Sequence, residues 1–355
     1  MRRYSIEIFN KDFALIDHGP VNSDTVDIRD DYISLDASEF TVPKRIVVER
    51  RNYLILKLNG SVEYQGIVSD YEYEHENTII TCKPLISLMD VQVYLKRSTL
   101  RSTALEQILA DKLTAVYSNS DTLQSLTGFR TTVSGSTKNT SLGGDDDLVN
   151  LYDAALDALR KYNILCKWSI DVSTQTITCA VQHLSTATPI VIDLTVPDVI
   201  ESTIQIQSIS NSYNKIKYYN DNNRSQSITY YIHSDGTVDD VDSDRLTPVI
   251  YCERLAEEST LDGTTMTWQQ VALGNAKSTM VNSSLDNEIT VTVKADSKVI
   301  QIDEIGTTYR LIDQTGIVYT SILTGYEKDS TEAVTLLFGM IRTKLTSILR
   351  MESRK

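Results

Sequence analysis

Runs of alternating apolar and polar residues fill both ends of this 355-residue chain, and between them the apolar period lengthens to that of a helix. No other feature restricts the fold as much. Near the start, "YSIEIF", "TVDIRDDYISLD", "RIVVERRNYLILKLNG", "EYQGIVSDYEYE" and "NTIITCKPL" are separated by Asn, Asp, Gly or Pro, which marks short antiparallel strands. A strand apolar on one face buries that face against another sheet, so residues 1 to 93 read as a barrel or sandwich.

Beyond Tyr94 the pattern turns helical. In "STALEQILADKLTAVY", Leu105, Ile108, Leu109, Leu113 and Val116 fall on one face, and Thr103 with Glu106 has capping-box spacing. A Ser/Thr/Gly-rich loop, "TTVSGSTKNTSLGGDDD", precedes a second helical stretch, "DLVNLYDAALDALRKYN". There Leu148, Leu151, Tyr152, Ala155, Leu159 and Tyr162 form a stripe and Asn163 is the expected stop. "ILCKWSIDVSTQTITCAVQ" then reads as a hairpin, so residues 94 to 200 suggest a small inserted α/β domain.

After Pro197 alternation returns and short strands dominate through "EAVTLLFG". Only "RLAEESTLDGTTMTWQQVALGNAKSTM" breaks it, with a helical second half. The expected class is therefore mainly β, α+β overall, with β-rich first and last thirds around a small α/β insert.

The formal charge of −14 opposes wrapping of nucleic acid, which needs clustered Lys and Arg; it suits solubility, and it would also repel DNA. No apolar run approaches the roughly 18 residues that span a bilayer, and "MRRYSIEIFNKDF" alternates instead of forming a signal-peptide core. The expectation is no stable membrane insertion. Cys82, Cys166, Cys179 and Cys252 lack CxxC spacing, so free thiols are expected, although Cys166 and Cys179 flank the hairpin.

Chemistry has little to stand on in this sequence. His18, His75, His183 and His233 lie in unrelated segments, and nucleophile elbows, phosphate loops and HExxH are all missing. Paired carboxylates would suffice for a glycosidase, yet Glu72, Glu74 and Glu76 around His75 read as a solvated strand edge. Asp240, Asp242 and Asp244 have calcium-loop spacing without the glycine and distal glutamate of an EF-hand. No catalytic, cofactor-binding or metal residue is assigned, and no cofactor is expected. Nineteen Tyr against five Phe suit contact surfaces, although strands favour Tyr as well.

Several stretches together resemble the hub of phage tail tips and baseplates: "YLKRSTLRSTALEQIL", "NLYDAALDALRKYNILCKWSIDVSTQTITCAV", "QSISNSYNKIKYYN", "YYIHSDGTV" and "VTLLFGMIRTKL". The resemblance runs nearly end to end and implies two tail-tube-like barrels. Residues 1–93 would form the first, completed by a return strand near Ile204 to Tyr219; 94–200 would be the insert, and 201–355 the second barrel with a helix-like tail. Gly339 would switch strand to tail, with Leu345 and Ile348 on its packing side.

A short form ending at Lys355 would lack the lytic domain of longer relatives, so no enzymatic activity is expected. Three copies would present six barrels to a six-fold tube. The implied partners are the chain itself as a homotrimer, a distal-tail or tail-tube ring, and a spike, tape-measure or receptor-binding protein. DNA would pass without specific binding, in a virion tail tip assembled in the host cytoplasm. A surface carbohydrate-binding β-protein and a cell-wall hydrolase are the two competing readings.

Overall fold

The computed structural model describes residues 3–339, leaving aside 97–98, 122–123, 139, 141, 143–146, 185–187, 207–212, 234–236, 244–248, 250, 262–263, 281–286, 301 and 332. The fold is mainly β, with few helices.

The first module uses β1 (Tyr4–Phe9), β2 (Leu15–Val21), β3 (Ile28–Asp31), β4 (Ser38–Val42), β5 (Tyr53–Leu58), β6 (Ser61–Glu74) and β7 (Asn77–Pro84). Six of them run antiparallel in the order β2-β1-β5-β6-β7-β4. The edges meet: Asn22 N donates to Thr41 O at 2.9 Å, and Asp27 bridges Glu39. Alternation sends Ile6, Ile8, Phe40, Leu54, Leu56 and Ile80 inward, all fully buried. Each contributes about 1.5–3 kcal/mol by leaving water. On β5 the other face is buried too, because Tyr53 and Ile55 join the core of the next module.

That insert contains β8 (Gln92–Tyr94), α1 (Thr99–Ser102), α2 (Leu105–Tyr117), β9 (Phe129–Ser134), β10 (Leu148–Asn150), α3 (Leu151–Tyr162), β11 (Ile164–Asp171) and β12 (Thr176–His183). The helices α2 and α3 lie by the β11-β12-β9 sheet, in which β9 runs parallel to β12. The expected Thr103–Glu106 capping box is not formed. Ala104 is the N-cap of α2, and Glu106 turns to Thr137 and His183 instead, because a fully buried carboxylate goes to the donors that can satisfy it. In α3 the side chain of Asn150 accepts from Tyr152 N and Asp153 N, so the helix starts after Leu148, which lies in β10 and is exposed. Asn163, in the left-handed region at φ 55°, stops it. Cys166 and Cys179 are buried and unbridged; the hairpin register sets them opposite Val181 and Trp168, not each other.

The second module begins with β13 (Ile190–Asp193) and β14 (Val199–Ile206). Before it resumes, a second insert intervenes: β15 (Lys215–Asn220), β16 (Asn223–Ile232), β17 (Val238–Asp239), β18 (Tyr251–Ala256), β19 (Ser259–Leu261), β20 (Thr264–Met266) and α4 (Trp268–Thr279). Thr267 and Gln270 form a capping box on α4. One face of the β17-β16-β15-β18 sheet packs on α4 through Ile216, Tyr218, Tyr230, Trp268 and Ala272, a core of its own.

The chain then completes the second module with β21 (Asn287–Lys294), β22 (Thr308–Ile312), β23 (Val318–Lys328) and β24 (Ala333–Phe338), in the order β13-β22-β23-β24-β21-β14. β13 and β14 stand at opposite ends of that path, yet residues 194–198 join them and reach at most roughly 20 Å. The sheet must curl. Ile289, Val291, Tyr309, Leu311, Leu336 and Phe338 fill its concave side.

This topology corrects the expected return strand. Ile204 lies in β14, which pairs with β21 of the second module, and Tyr219 lies in β15 of the second insert; 207–212 fall outside the described residues. In the first module the end strands β2 and β4 are drawn together by the Asn22–Thr41 bond, and among the described residues neither pairs with 204–219. The cross-connection runs the other way, since β3 leaves the first module and pairs with β23. At Gly325 a Cβ would sit 2.9 Å from Asp30 O, so glycine permits that approach. At Gly339, φ 77° and a Cβ only 1.9 Å from Asn287 O leave room for no other residue. The tail with Leu345 and Ile348 lies outside the described residues.

Candidate assembly site at the junction of the modules

The residues singled out for chemistry are scattered. Glu72, Glu74 and Glu76 are exposed around the β6–β7 turn, where His75 takes φ 54° and its carbonyl accepts from Arg45 Nε at 3.1 Å. Asp240 and Asp242 follow β17 on the surface, and Asp244 lies outside the described residues. His233 Nε2 lies 2.9 Å from Asp239 Oδ1. Among the described residues no group of three or more His, Cys, Asp or Glu is arranged to hold a metal.

Tyrosine does not gather on the surface. Nine of the nineteen, including Tyr53, Tyr64, Tyr218 and Tyr309, are buried, and only Tyr73, Tyr94 and Tyr251 are exposed. The excess is mostly structural: the rings fill curled sheets, and the half-buried Tyr326 adds a bond from its Oη to Glu63 O at 3.1 Å.

The cluster missed in the sequence is Glu106, Thr137 and His183. Glu106 accepts from Thr137 N at 2.9 Å and Thr137 Oγ1 at 2.7 Å, and lies 2.9 Å from His183 Nε2. Burial alone would raise its pKa, but the His183 and Thr137 bonds together outweigh it and hold the carboxyl at about 2. Three distant segments supply it, so no local pattern could reveal it. It ties the start of α2 to the end of β12.

The larger feature is where the two β modules and the first insert meet. Besides the β3–β23 pairing, Lys328 of β23 forms an ion pair with Glu63 of β6. Gln65 exchanges two bonds with Ile170, Nε2 donating to its carbonyl at 2.7 Å and Oε1 accepting from its N–H at 2.9 Å. Tyr152 Oη donates to Tyr32 O at 3.1 Å, and Cys166 N donates to Tyr32 Oη at 3.1 Å. Between these ties lies a cavity of about 670 Å³. Exposed Val62 and Ile302 contribute to its lining, as do Tyr64, Trp168 and Asp30.

Neither a family profile nor any curated protein sequence matches the chain. Solved structures do. The tail protein from Neisseria meningitidis MC58 superposes with a TM-score of 0.52 at 10% identity, over 95% of this chain and 96% of that one. The chain has the fold of phage tail proteins. The prophage tail protein gp18 from Listeria monocytogenes EGD-e gives a TM-score of 0.53 at 13% identity, covering 99% and 98% of the two chains. For the 43 kDa tail protein of prophage MuSo2 from Shewanella oneidensis the values are 0.51, 11%, 95% and 98%.

Three of the exposed apolar side chains lie at one end of the second module's sheet. β13 pairs only with β22 among the described residues, and it shows Val191 outward. Two strands away, Ile317 and Val318 are exposed at the β22–β23 turn. An unpaired edge beside apolar side chains is a template for another chain. No helix among the described residues is long and apolar enough to cross a membrane.

Proposed function

We propose that this chain is the structural hub of a phage tail tip or baseplate, three copies forming a ring between a six-fold tail tube and the central spike. The observation that carries the reading is the likeness to tail proteins over nearly the whole of each chain. A second feature supports it: each chain holds two β modules locked by an exchanged strand, so three copies bring six modules to a six-fold partner.

In this reading the upper partner is a distal-tail or tail-tube ring, and the lower one a spike, tape-measure or receptor-binding protein. The hub works in the virion tail tip after assembly in the host cytoplasm, and has no enzymatic activity. Its −14 charge lets DNA pass without adhering, since adhesion needs cations that release counterions.

Light scattering of the full chain tests the stoichiometry. A trimer of the 39.9 kDa chain has a mass of about 120 kDa. Because the copies share a negative charge, trimer formation strengthens with salt as repulsion is screened. A stable dimer at every concentration and salt would contradict the ring.

A further inference from the structure

We propose that the junction cavity receives a cationic side chain, Arg or Lys, projecting from a partner protein of the tail, and that Asp30 is the carboxylate that takes it. The inference rests on the hub reading and gives the chemistry of one contact in it.

Asp30 lies on the exchanged strand β3, partly buried, and lines the cavity. Among the described residues no hydrogen bond or ion pair reaches its carboxylate. A carboxylate withdrawn from water without a donor costs free energy, and proteins keep such a group where function requires it. The groups packed around it do not supply a counter-ion. On its own strand Asp31 is a like charge, with Oδ1 accepting from Ile33 N at 2.9 Å. From β23, Tyr326 donates to Glu63 O, and Lys328 is held by the Glu63 carboxylate.

Farther round the cavity Lys167 pairs with Glu304, and Asp303 adds another negative charge. On β6 the buried Tyr64 lines the same cavity and brings no positive charge to it. Desolvation, with Asp31 adding to it, pushes Asp30 up to about 7.

Shape and charge point to the same occupant. An aliphatic stem fits a lining that includes Val62, Leu58 and Ile302, while its charged head meets Asp30. A net charge of −14 makes another copy of this chain a poor donor of that cation and favours a partner of opposite charge. Seated at the junction of both β modules and the first insert, the cation holds the three in one arrangement.

Binding requires ionised Asp30, so a proton leaves when the cation enters. Affinity therefore rises with pH through 7, about tenfold between pH 6 and pH 8. The probe is N-ethylguanidinium chloride titrated into the full chain and followed by NMR, with uncharged N-ethylurea as control. Saturable binding that strengthens about tenfold over that range, is not matched by the urea and disappears in Asp30→Asn supports the proposal. No saturation at pH 8, or equal binding by Asp30→Asn, overturns it.

The variant removes an uncompensated charge, so its unfolding temperature at pH 8 is expected to match or exceed that of the parent; a fall would show a structural role and overturn the assignment. Light scattering separates the sources. An unchanged mass for Asp30→Asn agrees with a cation from a different protein, whereas lost self-association assigns it to a second copy and overturns the proposal as stated. Failure to trimerise with guanidinium binding intact would instead count against the hub.

Discussion

The two β modules solve one problem with different chain economies. The first is continuous, from Tyr4 to Pro84, and closes on itself. The second gathers Ile190–Ile206 and Asn287–Phe338 around an insert and takes a strand, Ile28–Asp31, from its neighbour. Both fill their interiors alike, with β-branched residues, Leu and one large ring pair each, Phe40 with Tyr64 and Tyr309 with Phe338. The difference shows that dependence runs one way: the first module can close without the second, while the second lacks a strand without the first.

The strongest way to break that comparison is Gly339→Ala. A methyl 1.9 Å from Asn287 O at a left-handed φ costs about 3 kcal/mol or more. Denaturation should split into two transitions, with hydrogen exchange showing β21–β24 opening first and β1–β7 protected; one shared transition would mean that the modules are not separable. Core truncation sharpens the asymmetry. Phe40→Ala and Phe338→Ala each cost about 3–5 kcal/mol. Phe338→Ala should destabilise the second module alone, whereas Phe40→Ala should lower both, because β3 is seated through Ile28 in the first core.

A smaller effect distinguishes the first insert from both. Glu106 has its pKa lowered from 4.5 to about 2, so its bonds contribute fully above pH 4.5 and are lost as pH falls from 4.5 towards 2. At about 1.4 kcal/mol for each pH unit, the contribution at neutral pH is about 3 kcal/mol. Urea titrations from pH 7 to pH 2 should show that loss in the parent and not in Glu106→Gln. Smallest is Arg101→Ala, which removes a bond from Nη1 to Ser259 Oγ at 3.2 Å between the two inserts. Its cost is about 0.5 kcal/mol or less, read as faster exchange confined to β19–β20.

What the sequence disclosed follows the same division. β1, β7, α2, α3 and α4 were legible because each carries its own period and its own stop, such as Asn163. The exchange of β3 was not: "TVDIRDDYISLD" reads as a strand, but nothing in it points to a partner almost 300 residues away. The second insert was hidden because its strands alternate like those on either side, and only tertiary packing on α4 sets them apart. Glu106 resembled a capping residue because spacing cannot register that Thr137 and His183 stand closer. Asp30 gave no sign for the same reason: what makes it unusual is the surroundings that burial imposes.

Electron cryomicroscopy of the assembled full chain tests the paired-module ring most directly. A tail hub predicts three-fold averages with six β lobes around a central opening, two from each chain and joined through β3. A six-fold ring of six chains, each contributing one lobe, would contradict it.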